Sequence, residues 1–259
     1  MRVFFCDLDG TLWQQQGDQY QVDPADLEAV RHLMARGIRF VPATGRGPEV
    51  LHRLQSWLGT EVRDVIASNG SRIFRAGELI GCEGVEGETA FQLYQALSCS
   101  GCTMMLETAS HGRLVIGQQE SGTSLWSQAY HLKTADLLRR LPSLKICKIT
   151  VLIQNDIQQR QVPAIANRFS SLRWLVNQLG NVEFLPDGVS KATAIRYYCQ
   201  SEGIRREETA FIGDEINDIE AMEEAGLSFC MRHARPEVCR HADFAVASVR
   251  QAIELTLRK

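Results

Sequence analysis

The chain opens on an unbroken apolar run, residues 2–6, that ends at Asp7 and predicts a buried strand. Polar residues follow until Asp23-Pro24, an N-cap with proline in the first turn. Behind it Leu27, Val30 and Met34 share one helical face, and the pattern stops at Gly37. A second apolar run, Ile38 to Val41, leads into Pro42-Ala43-Thr44-Gly45-Arg46. Another helix is predicted through Val50, Leu51, Leu54, Trp57 and Leu58, ending at Gly59. A third strand, Val65-Ile66-Ala67, ends in Ser68-Asn69-Gly70. This alternation of strand and helix argues for a parallel sheet with crossover helices.

The texture changes around Gly81–Gly87, where glycines and acidic residues make a plausible linker. Beyond it the pattern predicts a helix (88–97), two strands (103–108 and 113–117) and a helix (124–141). A strand (145–153), a helix (157–172) containing Pro163 and two short strands (174–178 and 182–185) follow. Strand pairs with short connections are antiparallel, so residues 82–184 form an inserted α+β domain. From Pro186-Asp187-Gly188 the first rhythm returns. A helix opens near Ser190, and a strand from Thr209 to Gly213 ends in Asp214. A helix then runs through Met222 to Gly226, followed by strands 227–231 and 244–247 and a closing helix 249–257. No repeats or low-complexity segments interrupt this order.

With 259 residues the chain is long enough for one large or two modest domains. The net charge of −3 has both signs interspersed, and no basic stripe suggests a nucleic acid partner. No apolar stretch is long enough to span a membrane, and Asp7 and Asp9 interrupt any signal-peptide core. The expectation is a cytoplasmic protein with no membrane partner. Of eight cysteines, Cys6, Cys147, Cys199 and Cys230 lie in apolar segments, where a free thiol packs as a small hydrophobe. Cys99 and Cys102 have redox or metal spacing, but the pair does not open a helix and no second close pair completes a zinc site.

The chemistry concentrates at strand ends. Asp7 and Asp9 are two residues apart after the first strand, so they reach to one face at its C-terminal end, where open α/β sheets bind ligands. Convergent carboxylates repel unless a cation or shared proton lies between them, which points to a hard metal ion and an anionic oxygen substrate. Asp-Gly is also a common turn signal, and alone the stretch reads equally as a polar turn. Three further sites matter. Thr44 can donate to a phosphoryl oxygen without adding charge, beside a Gly45 that permits close backbone approach. Lys191 places a cation in a helix first turn, where it opposes the dipole and can hold a phosphate. Asp214 stands at a strand end and can supply a third carboxylate, with Asn217 and Asp218 near the next helix start.

Asp7-Leu8-Asp9-Gly10-Thr11-Leu12, Thr44, Lys191 and Gly213-Asp214-Glu215-Ile216-Asn217-Asp218, in this order, resemble the four motifs of the haloacid dehalogenase-like (HAD) hydrolase superfamily. Ala43-Thr44-Gly45-Arg46, Ser68-Asn69-Gly70 and Gly188-Val189-Ser190-Lys191 resemble its Cof-like branch, whose inserted domain is a type-IIB cap. The resemblance implies an α/β fold: a Rossmann-like parallel-sheet core (1–81 and 185–259) with an inserted α+β cap domain (82–184). It implies a Mg²⁺-dependent phosphatase that hydrolyses a small phosphorylated metabolite, a sugar phosphate or similar phosphomonoester, through an aspartyl-phosphate. Asp7 would be the nucleophile and Asp9 the general acid and base. Mg²⁺ would be held by Asp7, the backbone carbonyl of Asp9 and Asp214, with Asp218 orienting its waters. Gly10, Thr44, Lys191 and Asn217 would surround the phosphoryl group, and Arg46 and Asn69 would reach the substrate. His111 and Arg113, and the Trp126 and Tyr130 pair, read rather as an exposed hairpin and as packing.

Within the superfamily, dehalogenases lack the second aspartate and P-type ATPases carry threonine there, so Asp9 favours phosphomonoester chemistry. A phosphomutase of the same fold is disfavoured by the compact fourth motif. A non-catalytic phosphometabolite-binding or regulatory protein would be expected to have lost a carboxylate or the lysine, and all are present. Oligomeric state has no signature in the chain.

Overall fold

The computed structural model describes residues 1–16, 19–109, 112–116, 129–130, 138–177 and 179–258. They divide into two compact units: residues 1–81 with 190–259, and residues 82–189.

The first unit is built on a five-stranded parallel sheet. Its strands lie in the order Arg39–Pro42, Val3–Cys6, Thr209–Gly213, Leu227–Met231, Phe244–Val246. Val3–Cys6 is buried on both faces, as a central parallel strand must be. Phe4 and Cys6 join one core with Leu27, Val30 and Leu33 of helix Pro24–Ala35 and Ala252 and Ile253 of helix Val249–Leu257. Val3 and Phe5 face the other core, with Ala194, Ile195 and Tyr198 of helix Lys191–Ser201 and Ala221 and Met222 of helix Ile219–Glu224. Local chemistry sets the helix ends. Asp23 accepts from the Ala25 amide, Ser248 caps the last helix, and Ser190 and Thr193 form a capping box.

Two features depart from the sequence expectation. Val65–Ala67 joins the parallel sheet only by an isolated bridge between Ala43 and Ile66, although Ile66 packs in the core, and it otherwise pairs antiparallel with Arg72–Arg75. With Glu78–Cys82 these form a separate three-stranded sheet. An unexpected hairpin, Trp13–Gln16 with Gln19–Val22, follows the first motif, because its glutamines carry no apolar alternation.

The second unit carries an antiparallel sheet in the order Gly112–Ile116, Thr103–Thr108, Lys145–Leu152, Val182–Pro186, Leu172–Val176. Met104, Leu106, Ile149, Val151 and Phe184 pack with Ala90, Leu93 and Val162 of helices Gly87–Leu97 and Asp156–Ala166. The latter helix holds Pro163 but stops at Ala166, short of the predicted 172, with Asn167 at its C-cap. The next strand therefore begins at Leu172. Val182–Pro186 pairs with it along its whole length, so the unit extends past residue 184 to Val189. Most of the predicted helix 124–141 lies outside the described residues, as do His111 and Trp126. Ala129–Tyr130, within that span, is a strand parallel to Arg113–Leu114 rather than helix. Arg113 pairs with Glu107 at 3.7 Å.

Cys99 and Cys102 are free thiols. Cys230, expected to be free, is joined in a disulfide to Cys239, because the short helix Pro236–Cys239 returns beside strand Leu227–Met231. Among the described residues, no helix is long and apolar enough to cross a membrane.

Candidate active site

The site grows from the C-terminal ends of two neighbouring strands. Cys6 pairs in register with Ile212, and the Asp7 amide donates to the Ile212 carbonyl at 2.9 Å. The chain then leaves both strands at the same level, at Asp7 and at Asp214. The Gly10 backbone takes φ +81°, and a Cβ there would stand 2.3 Å from Asp214 Oδ2. Only glycine allows both the conformation and the approach of the two loops. Thr11 Oγ1 donates to Asp214 Oδ1 at 2.9 Å, which ties the first loop to the fourth.

Lys191 is the first residue of its helix and is 1% exposed. Its ammonium lies 2.6 Å from Asp7 Oδ1 and 2.6 Å from Asp218 Oδ1. Asp218 Oδ2 accepts from the amides of Asp214 and Glu215, both at 3.0 Å. Asp218 thus anchors the lysine with one oxygen and shapes the Asp214 loop with the other. Carboxylate oxygens of Asp7, Asp214 and Asp218 lie within 4.8 Å of one another. An all-oxygen anionic set of this kind suits a hard divalent cation such as Mg²⁺.

The electrostatics follow from this crowding. Burial, with Asp218, Asp214 and Asp9 nearby, pushes the Asp7 carboxyl well above its usual range, against the pull of Lys191. Burial and Asp218 push Asp214 up to about 6. Burial works against the Lys191 charge, but Asp218 and Asp7 outweigh it and hold the ammonium above the usual lysine range.

A second group of loops stands around this cluster. Thr44 is fully buried, and its Oγ1 accepts from the Arg46 amide at 3.1 Å. Its carbonyl accepts from the Asn69 amide at 2.9 Å. Ser68 and Asn69 both take positive φ, 52° and 56°, a strained conformation for two successive non-glycine residues. They precede Gly70, where a Cβ would meet the Ser190 carbonyl at 2.2 Å. The strain presents Asn69 Oδ1 to Asn217 Nδ2 at 3.1 Å. Arg46 extends to Asp9 and forms two bonds of 2.6 Å to its carboxylate.

The match to known sequences reads on this geometry. The profile of the haloacid dehalogenase-like hydrolases matches residues 4–252. The chain belongs to that family. The hydrolase is 26% identical over 241 residues to an HMP-PP phosphatase of Cronobacter sakazakii, covering 92% of this chain and 86% of the relative. It is 25% identical to a phosphoglycolate phosphatase of Metallosphaera sedula, covering 99% of each. Its fold matches that of the HAD subclass IIB sugar phosphatase BT4131 with a TM-score of 0.80 at 19% identity, covering 100% of this chain and 98% of the other.

Asp7, Asp214, Asp218, Lys191 and Gly10 thus lie together in the hydrolase, with Asn217, Asn69 and Thr44 linked in a second group and Arg46 joined to Asp9. Four participants lack a sequence assignment. Thr11 is inside the first motif, and its hydroxyl was the available signal. Trp13 and Tyr20 contact Arg46 from the unexpected hairpin, and their only sequence signal was two aromatics in a polar stretch. His233 Nε2 stands 3.7 Å from Asp214 Oδ2, and nothing in its local sequence points there.

Proposed function

We propose that this hydrolase is a Mg²⁺-dependent phosphatase that cleaves a small phosphorylated metabolite through an aspartyl-phosphate on Asp7. The observation that carries the reading is the Lys191 ammonium bridging Asp7 and Asp218, with Asp214 completing the carboxylate cluster. The phosphatase names of full-length relatives support the same chemistry. Mg²⁺ would be held by Asp7, the Asp9 carbonyl and Asp214, and would neutralise charge on the phosphoryl oxygens.

Asp7 attacks phosphorus, and the bond to the leaving oxygen breaks as Asp9 gives that oxygen a proton. Asp9 then takes a proton from water, whose oxygen attacks phosphorus and frees Asp7 and inorganic phosphate. Lys191, already beside Asp7, meets the transferring group as a fixed cation. The Gly10 amide, Thr44 and Asn217 serve as its other donors, and Asn69 serves the substrate side. Asp218 works by holding Lys191 and the Asp214 loop. Residues 82–189 take the role of a substrate-selecting cap. A cytoplasmic location suits a phosphorylated metabolite as substrate.

The test is turnover of p-nitrophenyl phosphate and a panel of sugar phosphates by wild type and Asp7→Asn, with Mg²⁺ or EDTA. The expected result is turnover that needs both Mg²⁺ and Asp7. Turnover by Asp7→Asn at the wild-type rate, or full turnover in EDTA, overturns the mechanism. Saturable binding of the panel without turnover would favour a binding protein.

A further inference from the structure

Sequence reasoning sends Arg46 toward the substrate, but its guanidinium is committed to Asp9. Nε reaches Asp9 Oδ2 and Nη2 reaches Asp9 Oδ1, each at 2.6 Å, in a fork that fixes the carboxylate plane. Trp13 Nε1 adds a third donor to Oδ1 at 3.1 Å. The guanidinium itself is bracketed. Its carbon lies 4.4 Å from the Tyr20 ring centre and 5.5 Å from the Trp13 ring centre. Trp13 is 1% exposed and packs edge-on against Trp57 at 5.3 Å, so the bracket is anchored in the core. Trp13 and Tyr20 come from the two strands of one hairpin, and their rings touch at 5.9 Å.

The Asp9 side chain is 30% exposed, on a loop that follows the strand. Proton transfer to a leaving oxygen needs an aimed carboxyl, and the fork from Arg46 fixes the plane of this one. We infer that Arg46, clamped by Trp13 and Tyr20, is a positioning residue that aims Asp9 at the leaving-group oxygen. The inference rests on the phosphatase reading. In the step it serves, Asp7 Oδ bonds to phosphorus, the ester oxygen leaves with the bonding pair, and the Asp9 proton passes to that oxygen. Asp9 remains as a carboxylate in the grip of Arg46. The hairpin thereby acquires a function: it holds the arginine that holds the acid.

Leaving-group dependence separates this role from substrate binding. The p-nitrophenolate ion departs without a proton, whereas a sugar alkoxide does not. The ratio kcat/KM reads only through the first irreversible step, which is departure of the leaving group. Arg46→Ala, Tyr20→Ala and Tyr20→Phe would be compared on p-nitrophenyl phosphate and on the best sugar phosphate of the panel. Misaiming a general acid should cost Arg46→Ala roughly 100-fold in kcat/KM on the sugar phosphate, and less than about 5-fold on the aryl ester. Tyr20→Ala should show the same split at roughly 10-fold, and Tyr20→Phe, which keeps the ring, should restore the wild-type ratio. Equal losses on both substrates, or no loss, overturn the inference and leave the phosphatase reading intact. A wild type inactive on both substrates removes that reading, and this inference with it.

Discussion

Replacing Lys191 by methionine keeps its volume and removes the only cation hydrogen-bonded to both Asp7 and Asp218 among the described contacts. The substitution leaves buried carboxylates facing one another, and breaking a buried pair in this way costs about 3–5 kcal/mol. The folded variant can limit the cost by taking up a proton on one carboxyl. From the ordinary value of 3.8, that uptake at pH 7 costs about 4 kcal/mol. That uptake caps the loss, which leaves a cost at pH 7 of about 3–4 kcal/mol. A unit of this size should lose about 2–4 °C in Tm for each kcal/mol, which makes a fall of roughly 6–16 °C. The pH dependence is the sharper signature. Lys191 pulls the Asp7 carboxyl down, so the folded variant holds its Asp7 proton to a higher pH than the folded wild type does. Between those two pH values the variant gains on wild type as pH falls, by up to about 1.4 kcal/mol per pH unit. Urea denaturation of both proteins at pH 7, 6 and 5 measures this. A gap that is absent, or that widens as pH falls, refutes the electrostatic account of the cluster.

Other substitutions test separate joints of the structure. Gly10→Ala puts a Cβ 2.3 Å from Asp214 Oδ2 at φ +81° and should cost about 1–3 kcal/mol in denaturation while weakening Mg²⁺ binding. Asp214 is held up to about 6, and a metal takes its charged form, so calorimetry should show Mg²⁺ affinity rising with pH through 6 and levelling above 7. Asp214→Asn should flatten that profile. In the second unit the buried Lys148 lies 3.2 Å from Glu183 and 3.4 Å from Glu107. Lys148→Met should cost about 3 kcal/mol by urea denaturation, the low end of the range because Arg113 and Asn177 also face those carboxylates.

The elements that were legible in the chain are those whose signal is local. Val3–Cys6 is uniformly apolar, and Asp23-Pro24, Gly59 and Ser190 punctuate helices at the residues where they begin or end. The carboxylates at strand ends were legible because a parallel sheet delivers residues after neighbouring strands to one edge. What escaped depends on tertiary partners. Gln14, Gln15 and Gln16 have no alternation to mark a strand, yet Trp13 finds Trp57 and Tyr20 and the hairpin forms. Helix Asp156–Ala166 ends early because the chain turns into a strand whose partner, Val182–Pro186, lies later in the sequence. Cys230 and Cys239 are brought together by a short helix that hydrophobic periodicity did not register. Arg46 is the instructive case within the site. Its placement on a loop at the sheet edge was readable, but its choice of Asp9 was not, because that pairing depends on aromatics from the unexpected hairpin.

The central claim is that Asp7 is the atom donor that carries the phosphoryl group. The direct measurement is acid quench of the enzyme during turnover of its best phosphomonoester, followed by peptide mass spectrometry. The account predicts an added phosphoryl group on the peptide bearing Asp7, removed by hydroxylamine and missing in Asp7→Asn. Phosphoryl transfer to another side chain, or turnover in which an Asp7→Asn variant retains the wild-type rate, would contradict it.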